Sequence, residues 1–367
     1  MSVENIPFLD LKQQVAQIKD EVMQVVGEVY SKCAFTHGPY VEEFEKNFAK
    51  YCNTSYVLAV NNGTSALHIA LRALDIKQGD EVIVPANTFI ATAWAVAYVN
   101  ATPVFVDCDP DTWEIDPVEV EKKVTSKTKA IIGVHLYGQP FDIDTIASIA
   151  KKHDLYLVED AAQAHGAKYK GKTIGSISEL TCFSFYPGKN LGTFGEGGAV
   201  TTKSNEYKTK IGKLRNHASV DKYYHEELGF NMRMGGTEGA VLNIKLKYID
   251  KWTKRRQEIA KLYYQGIKND KIKMQAQSGY AQSVFHLFVI TVEDRERFMN
   301  YLKENNIFAG MHYPIPCHLQ KAFSYLGYKK GDIPHAEYLA EHCVSLPMFP
   351  ELTNDQVNKV VGVINRY

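Results

Sequence analysis

Between Tyr56 and Asp160, short apolar runs take turns with stretches of helical pattern, and few folds accept that alternation. The runs are YVLAV, EVIVP, TPVFVD, KAIIGVHL and LYLVED, with SALHIALRAL and IASIAKKH among the segments between them. A strand apolar at successive positions is covered on both faces, and intervening helices supply the cover. The pattern therefore predicts an α/β fold with a mostly parallel central sheet. Leu11, Val15, Ile18, Val22, Val25 and Val29 recur at three- and four-residue steps behind Asp10, which predicts an amphipathic helix capped by that carboxylate. Beyond about residue 245 the texture changes: a charged helical stretch (KLKYIDKWTKRRQEIAKLYY) precedes the apolar runs FHLFVITV and VSLPMF. A chain of 367 residues exceeds what one core ordinarily organises. We expect a large domain over 1–245 and a smaller C-terminal α+β domain over 246–367.

The uncharged run Val82 to Val106 is long enough to cross a bilayer as a helix. Pro85, Asn87, Asn100 and Pro103 interrupt it, so it reads as a strand ending at Pro85, a helix around Ala91 to Tyr98 and a strand Pro103 to Val106. The N-terminal MSVENIPFLDLK carries acids and no apolar signal core. Six cysteines without a C-x-x-C pair fit a reducing compartment and write no metal site. Lys plus Arg (42) equals Asp plus Glu (42), which leaves no global field to gather nucleic acid or an acidic membrane. The expectation is a cytoplasmic protein with neither as partner.

Open α/β sheets bind ligands beyond the carboxyl ends of their strands, so the polar residues after each apolar run are the candidates. Gly63, Thr64 and Ser65 stand where a strand hands over to a helix, with free backbone N–H groups at the positive end of the dipole; they suit a phosphate, or Thr64 or Ser65 simply caps the helix. Asp160 ends a strand, with Gln163 one helical turn further on; read alone, the acid is equally a cap, a metal ligand or a cofactor contact. Lys189 lies in a turn between an uncharged segment, Leu180 to Gly188, and a glycine-rich stretch, which makes it a candidate amine of lowered pKa able to form a Schiff base. The glycines at 192, 195, 197 and 198 match neither G-x-G-x-x-G nor a Walker loop. A phosphate-type helix start, an acid at a strand end, a hydroxyl (Ser184) and a lysine, in that chain order, are the parts pyridoxal phosphate requires.

The sequence also resembles the DegT/StrS sugar aminotransferases of the fold-type I, aspartate aminotransferase-like superfamily. The likeness runs from PFLDLK through HGPYVEEFEKNFAKY (37–51), NNGTSAL (61–67), GDEVIVPANTFIATAWAV (79–96), VEDAAQAHGA (158–167), SFYPGKNLGTFGEGG (184–198), LRNHA (214–218) and GFNMRM (229–234). It implies that Lys189 forms the Schiff base with the cofactor, Asp160 pairs with the pyridinium and Gln163 contacts the ring hydroxyl. Gly63, Thr64 and Ser184 would hold the phosphate and Phe89 would stack on the ring. Asn231 resembles the asparagine that reaches the neighbouring subunit's cofactor, implying a homodimer with shared sites. Where the family commonly shows R-M-D-E-L-Q-A-A, this chain has Arg233-Met234-Gly235-Gly236-Thr237-Glu238-Gly239-Ala240, which removes the usual glutamine. Two glycines in a helix interior would cost roughly 1 kcal/mol each relative to alanine.

The string GMHYPIPCHLQ (310–320) looks like that of relatives that aminate carbon 3, rather than carbon 4, of a nucleotide-linked keto sugar. The wider superfamily forks a substrate carboxylate with a C-terminal arginine; this segment offers His312, Tyr313 and His318 instead. The resemblance implies a dTDP-3-keto-6-deoxyhexose as amino acceptor and L-glutamate as donor, with Tyr186, Lys222, His312 and Tyr313 as candidate contacts for sugar and diphosphate. The alternatives are a carbon-4 aminotransferase, a keto-sugar dehydratase of the same fold, for which the resemblance implies histidine at the lysine position, and a non-catalytic regulatory relative, which would tolerate loss of Asp160 or Lys189.

Overall fold

The computed structural model describes residues 5–221 and 223–367. Its centre is a seven-stranded sheet in the spatial order Tyr56–Val60, Gly198–Thr202, Leu180–Ser184, Tyr156–Asp160, Thr128–Val134, Glu81–Pro85, Thr102–Val106. All neighbours pair parallel except those of Gly198–Thr202, which runs antiparallel to both of its partners. The pleat explains the continuous apolar runs. Leu58, Val60, Val82, Val84, Ile132 and Val158 pack on one face with the helices Gly63–Ala73 and Ile90–Tyr98. Val57, Ala59, Ile83, Ile131 and Leu157 pack on the other, with the helices Pro39–Cys52 and Ile143–Lys152. Successive side chains point to opposite faces, and both faces are dry.

A third apolar cluster joins the helices Ile249–Gly266, Arg295–Glu304 and Asn354–Ile364 to the antiparallel sheet of Lys273–Met274, Phe288–Thr291 and Cys343–Leu346. Ile6, from the opposite end of the chain, is buried in this cluster and bridges Ile307. Conversely, Cys317, Phe323, Ile333 and Ala336 join the first core of the large sheet.

The first helix is Leu11–Ser31, and the Asp10 side chain accepts from Lys12 N at 2.9 Å, the expected cap. The run Val82 to Val106 resolves into the strand ending at Pro85, the helix Ile90–Tyr98 and the strand Thr102–Val106. Among the described residues no helix is long and apolar enough to cross a membrane. The charged stretch KLKYIDKWTKRRQEIAKLYY is helical as expected, taking in the end of the helix Gly236–Leu246, a turn at 247–248 and most of the helix Ile249–Gly266. One local expectation is corrected. Gly235 and Gly236 are not interior helix residues: Gly235 is the N-cap and Gly236 the first helical position. A Cβ on Gly236 would fall 1.8 Å from the Ala34 carbonyl oxygen. Close approach of two backbones, rather than helix propensity, decides that position.

Candidate active site

The parallel strands end at one edge of the sheet, and the loops leaving that edge surround a cavity of about 950 Å³. Asp160 and Ser184 are the last residues of their strands; Gly63 follows Val60 by three positions and Phe89 follows Pro85 by four. Gly63, Thr64, Phe89, Asp160, Gln163, Ser184, Tyr186, Lys189, His312 and Tyr313 all line this one cavity. Asn231 does not: it is exposed, bridges Asn216 and lies outside the lining. Lys222 lies outside the described residues.

The helix Gly63–Ala73 is capped by Asn62, whose side chain accepts from Ser65 N at 2.8 Å, so neither Thr64 nor Ser65 is the cap. The N–H groups of Gly63 and Thr64, in the first turn, have no intrahelical acceptor to use. A Cβ on Gly63 would sit 2.6 Å from the Cβ of Ser184, so the glycine lets the helix start and the end of the neighbouring strand close together. The result is a cradle of backbone donors and a hydroxyl at a positive helix end, which fits a phosphate.

Asp160 is buried, and its two oxygens accept from Thr92 Oγ1 at 2.8 Å and from Ala162 N at 3.1 Å. Burial raises its pKa, while these donors and the charge of Lys189 pull the other way. Lys189 reaches the cavity from the turn after Ser184, its own N–H donating to the Tyr186 carbonyl at 2.8 Å. Desolvation lowers its amine from 10.5 to about 8, with Asp160 opposing the fall. An amine so lowered is a fair nucleophile near neutral pH.

Residues 161–166 form turns rather than the expected helical turn after Asp160. They still bring Gln163 to the cavity, where its Oε1 accepts from Tyr137 N (2.6 Å) and its Nε2 donates to the Tyr313 hydroxyl (3.0 Å). His312 is set by Ser345 Oγ, 2.8 Å from its Nδ1, and stacks on Phe8 with ring centroids 5.4 Å apart. Burial and Lys189 lower it to about 4, so it stands neutral at physiological pH. His318, offered by the sequence with these two, turns away: it is buried against Glu337 at 3.0 Å and does not line the cavity.

Sequence reasoning missed Thr92, the hydroxyl on Asp160. Thr88 and Thr92 are one helical turn apart and their hydroxyls meet at 2.9 Å, a spacing visible in ANTFIATAW. It also missed Arg256 and His286, which no local motif distinguishes, and the aromatic rim of His68, Trp94 and Tyr98. Among the described residues no group of acids, cysteines and histidines could hold a metal ion.

A phosphate cradle, a buried acid able to face a ring nitrogen and an amine near pH 8 fit pyridoxal phosphate in their donor chemistry, and the protein is an aminotransferase that depends on that cofactor. The chain belongs to the DegT/DnrJ/EryC1/StrS aminotransferase family, which it matches over residues 16–365. It is 45% identical, over 99% of both chains, to the dTDP-3-amino-3,6-dideoxy-alpha-D-galactopyranose transaminase of Aneurinibacillus thermoaerophilus. It is 44% identical to a pleiotropic regulatory protein of Geobacillus stearothermophilus, over 99% of this chain and 98% of that one. The crystal structure of S. venezuelae DesV in complex with a ketimine intermediate superposes with a TM-score of 0.97 at 41% identity, covering 99% of this chain and 98% of that one.

Proposed function

We propose that the protein converts a dTDP-3-keto-6-deoxyhexose to the dTDP-3-amino-3,6-dideoxyhexose, with L-glutamate as amino donor, in a homodimer whose sites are shared between subunits. The observation that carries this reading is that His312 and Tyr313, from the string 310–320, line the same cavity as Lys189 and Asp160. Relatives named for amination at carbon 3 of a nucleotide sugar support it.

Bound pyridoxal phosphate supplies a carbonyl that exchanges amines and a ring that accepts electrons. The chain does the rest. Gly63 and Thr64 N–H groups with the Ser184 hydroxyl would hold the phosphate, the buried Asp160 carboxylate would keep the ring nitrogen protonated, and Phe89, exposed beside Tyr313 with centroids 5.3 Å apart, offers a flat face. The second N–H of Gln163 is available to the ring hydroxyl. Lys189, its amine lowered to about 8, would act as both base and acid within each half-reaction, taking up and giving back a proton so that it ends as it began, at the donor's α carbon in one half and at sugar carbon 3 in the other. The neutral imidazole of His312, the Tyr313 hydroxyl, Tyr186 and Lys222 would meet the sugar and diphosphate. Asn231, outside the cavity of its own chain, would serve the partner's.

A site that hydrogen-bonds one hydroxyl rejects a substrate lacking it, because its polar groups are left unpaired. Incubation with each keto sugar and NMR of the product should give the 3-amino sugar. dTDP-4-keto-6-deoxyglucose should be poorer by roughly 10² in kcat/KM. Efficient formation of a 4-amino product would overturn the carbon-3 assignment and leave the cofactor chemistry standing.

A further inference from the structure

Tyr137 is fully buried in the turn after the strand Thr128–Val134, and its backbone stands in the left-handed region at φ 60° and ψ 3°. A residue with a Cβ adopts that conformation at a cost, and it persists where the surroundings over-determine it. Here four contacts do so. The Tyr137 N–H donates to Gln163 Oε1 at 2.6 Å and its hydroxyl donates to the His312 carbonyl at 2.5 Å. Its carbonyl accepts from Leu287 N at 3.3 Å, and its ring meets Trp113 edge-on with centroids 6.3 Å apart. Tyr137 does not itself line the cavity, but Gln163, His312 and Tyr313 all do.

These hydrogen bonds make a closed circuit whose polarity is set by the backbone. A backbone N–H can only donate, so the Gln163 atom facing Tyr137 is the amide oxygen; Nε2 is then the atom that donates to the Tyr313 hydroxyl at 3.0 Å. A carbonyl can only accept, so the Tyr137 proton is committed to His312. The Tyr313 oxygen thus receives a hydrogen bond, and among the described residues its own O–H has no acceptor. Burial raises this phenol and keeps it protonated. Tyr313 therefore meets the cavity as a donor.

We propose that Tyr137 is a positioning residue for the acceptor sugar: without touching it, Tyr137 ties the segment His312–Tyr313 to Gln163 and so presents the Tyr313 hydroxyl as a donor to a sugar oxygen. The sugar atom opposite Tyr313 must then offer a lone pair. A neutral imidazole and a phenol suit the uncharged oxygens of a sugar better than the carboxylates of an amino acid, so the effect falls on the acceptor and not on the amino donor. Gln163 keeps its own anchor, the Tyr137 N–H, whatever happens to the hydroxyl. The inference deepens the proposed function and rests on its reading of His312 and Tyr313 as sugar contacts.

Tyr137→Phe removes the hydroxyl and leaves the ring and the N–H in place. The test compares cofactor-loaded wild type, Tyr137→Phe, Tyr313→Phe and the double variant. It measures calorimetric binding of the dTDP-amino sugar product, kcat/KM for the keto sugar, the spectral half-reaction with L-glutamate, and cofactor absorbance. Tyr137→Phe should weaken product binding and lower kcat/KM for the sugar by about 10-fold, the scale of one lost hydrogen bond, with the glutamate half-reaction moving by less than about threefold. Cofactor absorbance should not change. Tyr313→Phe should cost a similar factor, and the double variant about as much as either alone rather than their product of about 100-fold, because both act through one contact. Para-aminophenylalanine at position 137, which restores a para N–H donor, should recover most of the loss, and it decides the matter should Tyr137→Phe not fold. Unchanged sugar affinity in Tyr137→Phe, equal losses in the two half-reactions, or a double variant at the full product would overturn the inference. The acceptor is whichever of the dTDP-3-keto and dTDP-4-keto sugars the wild type aminates, so a wrong carbon-3 assignment shows in the wild type alone and the inference is judged on the variants.

Discussion

Lys189 and Asp160 occupy one cavity but are tuned in different ways. Desolvation lowers the lysine to about 8, while the acid is raised by burial and held back by Thr92 and the Ala162 N–H. Lys189→Ala should abolish turnover and the absorbance of cofactor bound through its carbonyl; multiple turnovers by that variant would disprove the assignment. The pH dependence has a definite sign. Carbonyl capture needs the neutral amine, about a tenth of the population at pH 7 and about nine tenths at pH 9 for a pKa of about 8. Cofactor uptake by the apoprotein, followed by stopped flow, should therefore rise roughly tenfold between those values and level off. A continued rise through pH 10 would mark an unperturbed lysine. Thr92→Val removes the donor 2.8 Å from Asp160, a charge-assisted bond worth about 1.5–3 kcal/mol, so transamination should slow roughly 10- to 100-fold while the fold is kept. An unaltered rate would mean that the hydroxyl does not tune the carboxylate.

At the level of the element, strand endings and helix starts do the positioning. Asp160 is placed by the last register position of the parallel ladder, opposite Cys182, Ser184 by the end of its antiparallel ladder, opposite Gly198, and Thr64 by a helix whose cap is Asn62. The apolar runs made these strands legible, because a strand buried on both faces cannot hide its composition. The helix starting at Gly236 was read less well. Its two glycines look like a propensity penalty in the sequence, but they sit at the cap and first position, against the Ala34 carbonyl and the Glu238 carboxylate. Gly236→Ala should therefore destabilise the protein by about 2 kcal/mol despite alanine's better helix propensity, seen as a lower midpoint in denaturant. An unchanged or raised midpoint would show that the neighbouring backbone yields easily.

For the whole molecule, the cavity draws on both ends of the chain. Phe8 comes from before the first helix, Arg256 and His286 from the region after residue 245, and Met348 from close to the C-terminus. Asn231 is exposed and does not line its own cavity, and the proposed shared site makes a testable demand. Diluting the protein until light scattering reports monomers should release cofactor in parallel, read by absorbance. A monomer that keeps its cofactor tightly bound would contradict shared sites.

The sequence by itself marked the apolar strands between Tyr56 and Asp160 and the line of candidates Gly63, Thr64, Asp160, Ser184 and Lys189, because each of these is announced by its neighbours along the chain. The spatial order of the strands and the antiparallel Gly198–Thr202 came only from the fold. Residues whose meaning depends on distant partners were decided only by the tertiary structure. His318, next in sequence to the site's own segment, is claimed by Glu337, whereas Arg256, in an unremarkable charged helix, is carried to the cavity wall. Thr92 is known only once its helix lies over the end of the strand bearing Asp160. Local pattern fixes which backbone conformation a segment takes, through the period of its apolar side chains. Which polar side chain becomes a buried partner is set by the three-dimensional balance of desolvation against hydrogen bonding, and that balance closes only when the whole chain has packed.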